Sequence, residues 1–341
     1  MISQNRNDRL HHLIMLSNQS NDQAVVEAYR AMAASERDQP EPIYVLVYSL
    51  MKLHRFAEAE SFLDSLVNFG FDGYSGWTPA SEFHKRIEVI NSLKLPMIAT
   101  IADGERALIS VYGDCSGWNE PIINCLPEFR SRAQNIFGDL TPPINFYFFL
   151  ERGPYNAFYE AMFGMPPGAM LTENNSMTGC LNTVVCCAKG AHGVELAICP
   201  DRQVGDVMHE YGHALSHTIF GTRFPFVVPQ WFDEGTADCV AFPHYQSLFA
   251  NYDERLKAAA VSVKAPTYRQ MCVSLYREPD TRYAIAGLMV RKLVQMKGQN
   301  IIKEILIETR EQGKFARAFE RFVGMKPAKL LRAVVEEFWN P

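Results

Sequence analysis

The spacing of apolar positions changes character twice along the chain. Over residues 22–34 and 43–67 hydrophobic side chains return every three or four positions, with Val47, Leu50, Leu53, Ala57, Ala59, Leu63 and Leu66 in the second run, and this period predicts helices. Asp38-Gln39-Pro40-Glu41-Pro42 separates the two runs, and the glycine-rich stretch ending at Pro79 reads as a linker before a helix near 81–94. From about Pro96 the pattern shifts to short β-rich runs: MIATI (97–101), ALISVY (107–112), INFYFFL (144–150), CLNTVVCC (180–187) and VELAICP (194–200), with a helix expected at 120–137. After Asp201 helical periodicity resumes at 204–220, 230–241, 281–297 and 299–311, with a closing set through Phe338. The expected class is α+β, a small helical module over 1–95 followed by a domain over 96–341 that holds a small mixed sheet and a helical C-terminal part.

Composition narrows the picture by exclusion. With 48% hydrophobic and 21% charged residues in 341, the chain has too much apolar material for a disordered one. A net charge of −5 supplies no broad cationic field, so neither nucleic acid nor an anionic membrane surface is an expected partner. The longest apolar stretch, Ile43 to Leu53, is broken by Ser49 and Lys52, far short of the roughly 20 residues that span a bilayer. The N-terminus lacks the continuous apolar core of a secretory signal, so the expected location is cytoplasmic. In a reducing compartment adjacent Cys186 and Cys187 read as small buried hydrophobes of a strand. Cys180, Cys186, Cys187 and Cys199 contain no CxxC pair, which disfavours a thiolate metal site. Gly-rich phosphate loops and the GxSxG elbow are missing too. Phe146, Tyr147, Phe148 and Phe149 are expected to pack on both faces of a buried strand rather than stack on bases.

The chemistry concentrates in VGDVMHEYGHALSHTIFG, residues 204–221. Val204, Val207, Met208, Tyr211, Leu215 and Ile219 mark the apolar face of an amphipathic helix, and Gly221 offers a left-handed stop. His209 and His213, four apart, lie one turn from each other on one side, the separation at which two imidazoles grip one zinc ion. Glu210 between them can lean toward the open side of the metal and accept a proton from water there. In PQWFDEGTADCVAF, beginning 16 residues after His213, Trp231, Glu234, Ala237, Asp238 and Ala241 share one helical face, with Pro229 at the start and Pro243 as the expected end. An inward carboxylate wants a cation, so Glu234 is the expected third ligand of a site whose fourth position holds water. Asp238, one turn later, is then placed to accept a ligating histidine's free ring N–H. His217 continues the histidine stripe but lies too far along the axis from His209 to share an ion, and is expected beside the site.

HEYGH at 209–213 followed by WFDEGTA at 231–237 resembles the gluzincin branch of zinc metallopeptidases, within it the peptidase MA-like family with HExxH and then WxxEGxA. The likeness covers about 35 residues strongly, and implies a thermolysin-like catalytic domain over 96–341. It also implies zinc held by His209, His213 and Glu234, Glu210 as general base, Asp238 orienting a histidine, and a peptide or protein substrate. VELAICP corresponds to the strand that faces substrate in such enzymes, and Tyr283 stands where they place an oxyanion donor, with His244 and Tyr245 as competitors. A metzincin would need Gly and His where this chain has Ser216 and Ile219. The segment RFAEAESFLDSL resembles one tetratricopeptide hairpin, which makes the N-terminal helices a possible surface for a protein partner. The rival from another class is a non-catalytic interaction protein in which zinc only holds the fold.

Overall fold

The structure, a computed structural model, describes residues 2–18, 21–74, 78–103, 106–113, 117–138, 142–164, 177–180, 182–188, 200–221, 224–248, 265–273 and 279–339. The chain divides into two units, Met1–Pro96 with Glu151–Asn175, and Met97–Leu150 with Ser176–Pro341. A single boundary at 95/96 is therefore corrected: the chain returns to the first unit at Glu151, for a helix that the hydropathy pattern does not announce.

The first unit is helical: α1 (Ile2–Asn18), α2 (Asp22–Arg30), α3 (Ala34–Arg37), α4 (Pro40–Lys52), α5 (Phe56–Phe69), α6 (Ala80–Ser92) and the returning α8 (Arg152–Phe163), which packs on α6. Helix α4 is its centre. Ile43, Tyr44, Val45, Leu46 and Val47 are all buried, as happens when neighbours cover every side of a helix, here α1, α2 and α5. The helix expected over 43–67 is two helices, because the chain breaks at Leu53-His54-Arg55, where His54 adopts a positive φ of 58°, and α5 folds back on α4. A buried ion pair ties α2 to α4. Lys52 Nζ lies 3.4 Å from Asp22 Oδ1, 3.4 Å from the Ser17 carbonyl and 4.4 Å above the Tyr48 ring. Burial pushes the Asp22 carboxyl up and the Lys52 amine down, and their mutual attraction offsets this only in part.

The second unit holds one mixed sheet of β1 (Met97–Asp103), β2 (Arg106–Gly113), β3 (Ile144–Phe149), β4 (Met177–Cys180) and β5 (Thr183–Cys187), in the order β1-β2-β3-β5-β4. The three central strands run parallel and each edge strand is antiparallel to its neighbour. Parallel β2 and β3 require a crossover, which α7 (Glu120–Phe137) supplies. CLNTVVCC is not one strand: Cys180 closes β4 and pairs with Thr183 at the start of β5. VELAICP lies outside the described residues except for Pro200. Ile144, Phe146 and Phe148 of β3 join Leu126 and Phe129 of α7 in the main core, while Tyr147 and Phe149 are buried on the opposite face, so the aromatic run is interior throughout. Cys186 and Cys187 are buried thiols of β5.

The remaining elements are α9 (Pro200–Phe220), α10 (Phe224–Val227), α11 (Gln230–Leu248), α12 (Tyr268–Cys272), α13 (Pro279–Lys297), α14 (Ile301–Gln312), α15 (Phe315–Val323) and α16 (Pro327–Trp339). Helix α11 runs through Pro243 rather than ending there; the proline forfeits one backbone N–H donor and the helix carries on for another turn. Helices α9, α11 and α13 are pressed together by missing side chains. A Cβ on Gly212 would stand 2.7 Å from the Ala237 Cα, and one on Gly235 would stand 2.3 Å from the Ala286 carbonyl oxygen. Both glycines sit inside the two motifs, so the backbones that carry the candidate ligands approach more closely than any larger residue allows. Among the described residues no helix is long and apolar enough to cross a membrane.

Candidate metal centre

Helix α9 buries Val204, Val207, Met208, Tyr211, Leu215 and Ile219 against the sheet and its neighbours, as their spacing predicts. That orientation turns His209 and His213 toward α11. Their rings stand 4.8 Å apart at 80°. Helix α11 in turn buries Trp231, Glu234, Ala237, Asp238 and Ala241, and this face carries the Glu234 carboxylate to the two imidazoles.

Three donor atoms converge. His213 Nε2 lies 3.1 Å from His209 Nε2 and 3.2 Å from Glu234 Oε2, and His209 Nε2 lies 3.3 Å from the same oxygen. Donors bonded at about 2.0–2.1 Å around a tetrahedral zinc stand about 3.3 Å from one another, so the triangle already has the dimensions of a ligand set. Proton bookkeeping points the same way. His213 Nδ1 is 2.7 Å from Asp233 Oδ1, so that nitrogen carries the ring proton and donates it to the carboxylate. His213 Nε2 is thereby turned toward Glu234 and His209, the arrangement in which the three groups could share a cation.

The electrostatics agree. Burial by itself drives both histidines down, but the Glu234 carboxylate outweighs it at His209, and Asp233 with Glu234 outweighs it at His213, so both imidazoles are held above their ordinary value. Glu234 feels the converse: burial pushes its carboxyl up, and the two histidines more than reverse this. The group as a whole favours positive charge. His209, His213 and Glu234, the last two buried, form a group that could hold a metal ion.

The other expected residues fall at differing distances from this centre. Glu210 follows His209 on α9; its charge adds to the Glu234 contribution that raises the His209 imidazole and, after burial, to the rise of the Cys186 thiol of β5. Tyr283 of α13 is 38% exposed, with its ring 6.4 Å from that of His209, and burial followed by the nearby Glu234 charge keeps its phenol protonated. His217 is beside the triangle, as expected, with Nε2 3.2 Å from Asp233 Oδ2. The side chains of His244 and Tyr245 lie outside the described residues.

One role is corrected. Asp238, expected to accept a histidine's free ring N–H, is ion-paired with Arg291 of α13, because the turn after Glu234 faces the α11–α13 seam. The carboxylate that meets His213 is Asp233, which sequence reasoning missed. Adjacent residues on a helix point about 100° apart, so the face shared by Trp231, Glu234 and Asp238 does not include Asp233. The position of α11 above α9 lets both faces reach the histidine stripe. Comparison with models of known protein families finds none that matches this chain, and comparison with curated proteins finds no match either.

Proposed function

We propose that the chain is a zinc-dependent peptidase of the gluzincin type, with Glu210 as the general base. The observation that carries this reading is the triangle of His209 Nε2, His213 Nε2 and Glu234 Oε2 with edges of 3.1–3.3 Å, since three protein donors with a fourth position for water is the coordination of catalytic zinc sites. When bound, zinc supplies Lewis acidity that polarises a carbonyl and acidifies water. Glu210, carried on the same helix as both histidines, takes up the proton from the attacking water and returns it to the leaving amine. Tyr283 keeps its hydroxyl proton and donates it as a hydrogen bond to the charge that develops on the carbonyl oxygen. Asp233 holds His213 in the tautomer that leaves Nε2 free. On this reading the substrate is a cytoplasmic peptide or protein, and the helical first unit is a surface for a protein partner.

A peptide-library cleavage assay with metal analysis tests the reading. The wild-type chain should carry about one zinc, and Glu210→Gln should retain it while losing cleavage. If Glu210→Gln cleaves like wild type, or no peptide is cut while Glu234→Ala unfolds the chain, the fold-holding role of zinc replaces the catalytic one.

A further inference from the structure

Asp233 uses both of its oxygens. Oδ1 is 2.7 Å from His213 Nδ1 and Oδ2 is 3.2 Å from His217 Nε2, so one carboxylate on α11 spans a full turn of α9. His217 is itself held: its ring lies against Phe224 of α10 with centroids 4.2 Å apart, and Phe224 is buried. From this arrangement we infer that His217 and Asp233 form a positioning relay for the metal centre, His217 donating Nε2–H to Asp233 and Asp233 accepting Nδ1–H from His213. The inference rests on a cation at His209, His213 and Glu234, and not on hydrolysis.

The relay has a physical task. A carboxylate hydrogen-bonded through only one oxygen can swing about its Cβ–Cγ bond, and its imidazole partner swings with it. A second, anchored donor on the other oxygen removes that freedom, so the His213 ring is already oriented with Nε2 toward the ion's position before the ion arrives. The same three side chains, His213, His217 and Asp233, also lie close enough to hold a cation of their own. The 2.7 Å separation of His213 Nδ1 and Asp233 Oδ1 favours the relay, being a hydrogen-bond length and well below the about 3.3 Å between donors around a tetrahedral ion. A second ion would also strip His213 of both ring protons.

The test is zinc affinity of the full chain, measured by competition with a chromophoric chelator, together with the visible spectrum of the cobalt-substituted protein. His217→Leu removes the donor and should weaken zinc binding by about 10–100-fold with an altered cobalt spectrum, at unchanged circular dichroism. His217→Gln, whose amide N–H reaches toward the Nε2 position, should restore most of the affinity, which a purely structural role would not require. Wild-type affinity and spectrum in His217→Leu overturn the relay, as does a wild-type stoichiometry of two ions that falls to one in that variant. Should His217→Leu not fold, Asp233→Asn decides, because an amide offers its acceptor oxygen to one imidazole and turns an NH2 donor toward the other; about tenfold weaker binding supports the relay and wild-type binding overturns it. Undiminished binding in His209→Ala would instead sink the underlying cation reading, whatever His217 does.

Discussion

His213 uses its two ring nitrogens for different work, and they cannot be exchanged. Nδ1 faces Asp233 and Nε2 faces the triangle. Tyr283 is the other residue whose chemistry depends on a proton staying put. Its phenol is pushed up by burial and by the Glu234 charge, so it remains a donor across the neutral range. On the proposed function Tyr283→Phe should lower kcat by about 10²–10³-fold with zinc content and KM little changed, read from steady-state kinetics on a peptide substrate. An unaltered kcat would move the oxyanion donor to another residue, with His244 and Tyr245 the first to examine. His209 and His213 are legible because a one-turn spacing on α9 sets their separation, and Glu234 because it shares the face of α11 that buries Trp231, Ala237 and Ala241. Asp233 lies off that face, so the period of α11 does not point to it.

At the scale of elements, the site depends on how closely α9, α11 and α13 approach. An added methyl at Gly235 would meet the Ala286 carbonyl oxygen, and one at Gly212 would meet the Ala237 backbone. Gly235→Ala should cost about 1–3 kcal/mol in urea unfolding and weaken metal binding, since the helix that must move carries Glu234. A variant with wild-type stability would show that the seam has slack. In the first unit the α2–α4 seam is held by Lys52 and Asp22. Removing one partner leaves the other charge buried, so Lys52→Met should cost about 3–5 kcal/mol near pH 7. The cost should shrink toward pH 4. Asp22 already has a raised carboxyl, and a raised folded-state value contributes stability that is present below the ordinary value and lost as pH rises through the folded one. Circular dichroism melts at both pH values decide it, and an equal loss at each would contradict the sign.

For the whole molecule, metal and fold are linked by mass action. A ligand at 100 times its Kd stabilises the state that binds it by about 2.7 kcal/mol. Chelation should therefore lower the calorimetric transition of the unit that contains His209, His213 and Glu234, and readdition of zinc should restore it. A transition unmoved by chelator would mean that the triangle holds no ion under those conditions. Expecting a boundary near residue 95 found the first crossing, yet Glu151 onward returns to the first unit through a helix whose Tyr155, Phe158 and Tyr159 become buried only through tertiary contacts.

What repeats within one element can be read from residue order. Helical period fixed the apolar face of α9, the inward turn of Glu234 and the one-turn spacing of His209 and His213, because backbone geometry alone converts residue number into direction. Tertiary structure decided everything that depends on two segments meeting: the break at His54, the hairpin of β4 and β5, the return of α8, the pairing of Asp238 with Arg291, and the double grip of Asp233 on His213 and His217. The direction of a side chain along one helix follows from its position in the chain. Which partner waits there is set by the packing of a second element, and no period within the first contains that distance.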